Sequence, residues 1–242
     1  MKEFTVSLGG YRFLIIPRND NMYRAFKNYL TDEAPDFTVI LNDEMRNREL
    51  QGGFLPFGNH PIYADFLALH REISSILLEK GVLMFHGSAV EVDGESFLFV
   101  APSGTGKSTH TALWRKVLPG LGHEVIMIND DKPFVSVSGG TAFVHGSPWS
   151  GDKWLNTNKK SPLKAICLLE RDERNHIERA ALSEIFPRLL GVFFRGETPE
   201  QLKRSLDLFD EIAECCNFYR LGCNMEDEAA VIAYTYMKEN NK

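Results

Sequence analysis

Apolar and polar residues alternate through Phe4-Thr5-Val6-Ser7-Leu8, stop at Gly9-Gly10 and resume over Tyr11-Arg12-Phe13-Leu14-Ile15-Ile16. That pattern predicts a β-hairpin. Asp36-Phe37-Thr38-Val39-Ile40-Leu41 predicts a third strand, so the chain up to about Pro56 reads as a small β-rich lobe. From about Ile62 to Glu79 the period changes. Phe66, Leu67, Leu69, Ile73, Ile76 and Leu77 recur at helical spacing, and the helix stops at Gly81. Val82-Leu83-Met84-Phe85 predicts the next strand, and Ser88 to Val92 the one after it. Asp93-Gly94 then turns the chain tightly into Ser96-Phe97-Leu98-Phe99-Val100, because Asp and Gly tolerate the positive φ angles of a two-residue hairpin turn.

Beyond residue 100 the pattern predicts a helix over Lys107 to Leu118 and an apolar strand from Glu124 that ends in Asp130-Asp131. A second hairpin is expected from Phe134 to Val144 around Gly139-Gly140, and a strand from Ala165 to Glu170. Leu182 to Met237 reads as helical apart from a short strand near Phe218 to Leu221. Hairpins mixed with strand–helix units predict an α/β fold with a mixed sheet and flanking helices. The expected division is a β-rich lobe at 1–60 and a larger domain at 61–242.

The 242 residues carry a formal net charge of −6, which argues against a general nucleic-acid binder, since such proteins present a basic face. With 43% apolar and 25% charged residues the chain can bury a core. No apolar run reaches the length of a membrane span, and Met1-Lys2-Glu3-Phe4-Thr5 does not read as a signal peptide. Cys167, Cys215, Cys216 and Cys223 form no Cys-x-x-Cys pair, so zinc is not expected, and a cytoplasmic protein with reduced thiols is.

The chemistry concentrates in Ala101-Pro102-Ser103-Gly104-Thr105-Gly106-Lys107-Ser108-Thr109, set between a strand and a helix. A glycine-bearing loop there turns its N–H groups inward around anionic oxygens, and the helix N-terminus adds free N–H groups. Ser103, Gly104, Thr105, Gly106, Lys107, Ser108 and Thr109 are the expected nucleotide contacts; Lys107 would reach the outer phosphates and Ser108 would bind Mg²⁺. Ala101 stands where this pattern usually begins with glycine. Asp130 and Asp131, expected at the tip of a central strand, can hold Mg²⁺ or accept a proton, and adjacent residues on an extended chain point to opposite sides. The hairpin register places His86 near the loop, where it contacts phosphate, ligates metal, moves a proton or serves structure alone. In the stretch His145 to Trp154, Ser147 and Trp149 are either substrate or base contacts or parts of a core plug. Arg195 either reaches phosphate or caps a helix end.

The order His86-Gly87, an Asp-Gly hairpin, Ala101 to Thr109, then Asp130-Asp131 resembles the P-loop core of the HPr kinase/phosphorylase and phosphoenolpyruvate carboxykinase-like group. The resemblance spans about Gly81 to Phe134. Within that group the chain is most similar to compact HPr-kinase-like proteins of unassigned substrate, on Gly146 to Gly151 and Tyr219 to Asn224. It implies a P-loop kinase fold using ATP and Mg²⁺, with Lys107 on the outer phosphates and Ser108 on the metal. It also implies Asp131 as general base, Asp130 as a metal-linked or structural acid, and His86 beside the reacting phosphate. The expected acceptor is a hydroxyl, most simply of Ser, on a peptide, protein or small molecule. Carboxykinase-like transfer to a small acid and nucleotide-gated binding without transfer are the alternatives. Thr109 replaces the glutamate of HPr kinases, and their later glutamate-arginine-glycine signature is missing, so HPr itself is not implied as substrate. Related kinases assemble, which leaves a homo-oligomer open.

Overall fold

The computed structural model describes residues 2–20, 22–52 and 60–239. The first hairpin consists of β1 (Phe4–Leu8) and β2 (Tyr11–Ile16), paired antiparallel with Phe4 opposite Ile15. A short helix, α1 (Met22–Phe26), leads to β3 (Phe37–Ile40), which runs parallel to β2. Helix α2 (Asp43–Gln51) follows, with Asn42 accepting a hydrogen bond from Met45 N at its start. The lobe is therefore not purely β. The pattern missed α2 because its two apolar residues, Met45 and Leu50, lie five apart and make no stripe. Residues 53–59, including the Pro56 expected near the end of the lobe, lie outside the described residues.

Helix α3 (Pro61–Glu79) lays Ala68, Leu69, Ile73 and Leu77 against the three-stranded sheet, with β4 (Val82–Met84) close behind. The hairpin of β5 (Gly87–Val92) and β6 (Glu95–Val100) turns at Asp93 and Gly94, whose φ angles are 52° and 87°. Helix α4 (Lys107–Val117) then returns the chain to β7 (Val125–Asn129). Next come β8 (Phe134–Ser138), β9 (Thr141–His145), β10 (Lys160–Arg171) and β11 (His176–Arg179). Helices α5 (Leu182–Leu189) and α6 (Pro199–Cys215), strand β12 (Asn217–Cys223) and helix α7 (Asp227–Glu239) complete the described chain.

Nine strands form one mixed, curled sheet in which β10 belongs to two stretches. Lys160, Ser161 and Pro162 pair antiparallel with β9, which continues the β4-β8-β9 ribbon. After a register shift between Leu163 and Ala165, β10 runs parallel to β6 on one side and to β12 on the other. Side chains alternate across the sheet with period two. Leu98, Val100, Ile166 and Leu168 face α5 and α6, where Phe193 and Phe209 stack at 5.0 Å. Phe97, Phe99, Ala165, Cys167 and Leu169 face α4 and α7 around the buried Trp114. The unbroken apolar runs of β6 and β10 follow from burial on both faces.

The third core joins the lobe to the rest. It gathers β1, β2, β3, α1 and α3 with Val82, Met84, Phe134 and Trp149. Trp149 is 3% exposed, stands 5.4 Å from the Phe26 ring and 5.5 Å from Phe66, and donates its Nε1–H to Phe66 O at 3.0 Å. Its ring fills this core, the plug alternative of the two expected for it rather than the substrate contact. Replacing Trp149 with Ala should cost about 3–5 kcal/mol in urea unfolding. A loss below about 1 kcal/mol would show that the indole does not hold the lobe.

Candidate functional site

The site forms where three strands meet one edge of the sheet. Strand β5 is antiparallel to both β6 and β7, so the C-terminal ends of β6 and β7 and the start of β5 lie on the same edge. On the order β4-β8-β9-β10-β6-β5-β7, β7 is the outermost strand rather than the expected central one, because the β5–β6 hairpin places β5 between it and β6. The loop after β6 carries Gly104 at φ +77° and Gly106 at φ +119°. Space is open beside both, so it is the backbone conformation that requires glycine there. Ala101 is fully buried in the core with the α4 side chains and is not among the described non-glycine residues of positive φ, which explains why a methyl group fits at this position. Lys107 opens α4 nearly buried, its Nζ donating to Ala101 O at 2.9 Å and Pro102 O at 3.4 Å. Desolvation lowers its pKa, and Asp131 opposes that shift.

The two carboxylates have different surroundings. Asp130 is 8% exposed, and its Oδ1 accepts from Ser88 Oγ at 2.7 Å. Ser88 Oγ is also 2.8 Å from Thr111 Oγ1, so a hydroxyl pair ties Asp130 to the second turn of α4. Asp131 is a third exposed; its Oδ1 lies 3.3 Å from His86 Nε2 and 3.7 Å from Lys132 Nζ. Desolvation raises the Asp131 pKa against the pull of Lys132 and Lys107. Desolvation, aided by Lys132 and Lys107, pushes His86 down to about 3, so it faces Asp131 as a neutral imidazole.

Asn129 fixes this strand tip. Its Oδ1 accepts from Asp131 N at 2.8 Å and Lys132 N at 2.7 Å, and its Nδ2 donates to Ser147 O at 2.8 Å and Trp149 O at 3.2 Å. Ser147, wholly buried, donates its hydroxyl to Lys132 O at 2.6 Å. It braces the acidic turn, the structural alternative of the two expected for it.

A cleft of about 780 Å³ collects His86, Ser103 to Thr109, Asp130, Asp131, the turn at Gly151 to Lys153, and a wall of Leu169, Arg171, Asp172, Cys223, Asn224 and Met225. The structure thus brings together the loop residues, both acids and His86. Arg195 is exposed and does not line the cleft, so of the two roles open to it the reach to phosphate is not met. A separate hollow of about 470 Å³ beside Gly9 and Lys80 contains none of these groups. Ser88, Thr111, Asn129, Lys132 and Arg171 were missed by sequence reasoning. Only Asn129 carried a signal, as a polar residue closing an apolar strand just before two acids. Among the described residues no cluster of three His, Cys, Asp or Glu side chains could hold a metal by itself. No described helix is long and apolar enough to cross a membrane.

No protein-family model matches the chain. No curated protein matches it either. Among solved structures, the Hpr(Ser) kinase/phosphatase from Coxiella burnetii is similar at a TM-score of 0.35 and 10% identity, over 64% of this chain and 97% of that one.

Two measurements probe the site's framework. Asn129→Ala removes the partner of Ser147 O and Asp131 N, while Lys132 N and Trp149 O keep each other at 3.1 Å; two unmet buried groups should cost roughly 3 kcal/mol in denaturant unfolding. An unchanged midpoint would rule out the brace. Acid should also destabilise the fold. Desolvation pushes His70 down to about 3, His110 to about 3 and His145 to about 4, all from 6.5. His110 accepts the Trp114 Nε1–H at 2.9 Å on Nε2, so its single proton sits on Nδ1, facing Cys223 Sγ at 3.8 Å. Below pH 6.5 the unfolded chain therefore binds more protons than the folded one, and stability falls as the pH drops towards about 4. Asp131 opposes this with one group. Unfolding free energies that stay flat across that window would contradict the neutral imidazoles.

Proposed function

We propose that this chain is an ATP- and Mg²⁺-dependent phosphotransferase that moves the γ-phosphoryl group to a hydroxyl, most simply that of Ser, on a peptide, protein or small molecule. The observation that carries this proposal is the shared cleft: a glycine-jointed loop with Lys107 on one wall and Asp130-Asp131 on the other. The order of His86-Gly87, the Asp93-Gly94 turn, the loop and the paired acids supports grouping the chain with HPr-kinase-like phosphotransferases. Four free cysteines and the net charge of −6 agree with a cytoplasmic enzyme that acts on neither nucleic acid nor membrane.

The residues fit the implied cofactors. Open space beside Gly104 and Gly106 leaves the loop backbone free to approach phosphate oxygens. Magnesium commonly takes one or two carboxylates and completes its shell with phosphate oxygens and water, so it needs no self-sufficient protein cluster. Ser108, Asp130 and Asp131 would hold it. Mg·ATP supplies the phosphoryl group and much of the charge neutralisation that phosphoryl transfer demands. Lys107 exchanges its contacts to the Ala101 and Pro102 carbonyls for the outer phosphates. Asp131 takes the proton of the acceptor hydroxyl as its oxygen bonds to phosphorus and the bond to ADP breaks. Neutral His86 orients the Asp131 carboxylate, while Asp130, held by Ser88, stays on the metal side.

Lys107→Ala and Asp131→Asn should each lower label transfer from radioactive ATP by on the order of a hundredfold or more, with the fold retained by circular dichroism. Full activity in Asp131→Asn would remove it from the base role. Bound ATP without labelled product across free serine, peptides and carrier proteins would favour a binding module. Product from oxaloacetate would favour carboxykinase chemistry.

A further inference from the structure

Arg171 is the last residue of β10 and stands opposite Cys223 of β12. Its side chain reaches back over the loop after β6. Nε donates to Thr105 O at 3.2 Å, and Nη2 donates to Gly104 O. Two adjacent loop carbonyls are thus held by one guanidinium fork.

A peptide unit is planar and trans, so its C=O and N–H point in opposite directions. Holding Gly104 O towards Arg171 turns Thr105 N–H into the loop, where it meets Pro102 O at 3.3 Å. Holding Thr105 O in the same way turns Gly106 N–H inward. Gly104 and Gly106 are the joints about which these planes flip most easily, since glycine visits both signs of φ. An anion cradle works only while its N–H groups face inward.

We propose that Arg171 is a positioning residue. It sets the peptide planes of Gly104 to Gly106 for an anion and does so without touching that anion. The proposal rests on the phosphate-binding reading of the loop. Its chemistry requires arginine, because the planar fork spans two carbonyls and a lysine ammonium, a compact point charge, does not reproduce that geometry. A direct phosphate contact would instead be partly preserved by lysine. If only a fraction of loops is correctly oriented, the apparent dissociation constant rises by the inverse of that fraction.

The test compares wild type, Arg171→Lys and Arg171→Ala. Binding of inorganic pyrophosphate and of Mg·ATP is followed by calorimetry, and the Gly104 and Gly106 amide signals by NMR. Arg171→Lys and Arg171→Ala should weaken both ligands alike, by about tenfold, at unchanged melting temperature. Their glycine amides should shift or broaden before any ligand is added, which a direct ligand contact alone would not cause. Wild-type affinity in Arg171→Lys with loss in Arg171→Ala would make the residue a charge partner and overturn the positioning role. Wild-type affinity in both variants would overturn it as well. A wild-type chain that binds neither ligand would overturn the phosphate reading itself and this proposal with it.

Discussion

Strand direction is the constraint on which the site depends. Had β5 run parallel to β6, His86 would start at the far edge of the sheet, a full strand length from the loop. Because β5 is antiparallel to both neighbours, the end of β6, the start of β5 and the end of β7 share one edge. The tight turn at Asp93-Gly94 secures the first relation and the crossover through α4 the second. Gly87 shows how closely the strands must meet: a Cβ there would lie 2.9 Å from Phe99 O and 2.7 Å from Leu98 Cδ1.

Much of this was legible in the sequence because it rests on local signals. Both hairpins after Gly81, the helix opened by Lys107 and the apolar strand before Asp130 follow from periodicity and turn chemistry. Strand β11 was missed because His176–Arg179 carries one apolar residue and pairs at the margin of the sheet, where burial imposes little pattern. The extent of β10 was underestimated because its first residues, Lys-Ser-Pro, lack an apolar run and join a different ribbon. Position within the sheet was not legible either. An apolar strand ending in acids looks central by composition, but among the described strands β7 pairs with β5 alone; α4 and β9 cover it, and Thr157 N bonds Ile128 O at its outer edge.

For the site, residue types could be named but not their partners. Adjacency of Asp130 and Asp131 implied opposite directions; only the fold reveals that one meets Ser88 and the other His86. Ser147 and Trp149 drew attention by composition, since glycine, proline, serine and tryptophan together are unusual in a connector. Their importance is real but indirect. Trp149 anchors the segment in the lobe core, Asn129 clasps its backbone, and that clasp sets the turn carrying Asp131. The lobe and the acidic turn are thus linked by one tryptophan and one asparagine.

The shared strand β10 has a consequence for how the chain is made. Translation delivers β5, β6, α4 and β7 before it, so the loop's own strand is flanked on one side only while the β8–β9 ribbon emerges. The open flank of β6 closes only when β10 arrives, and β10 in turn awaits β12. Contacts so distant along the chain form slowly. A nascent chain halted before residue 160 would display the apolar edge of β6 to its surroundings, a natural foothold for chaperones and for aggregation alike.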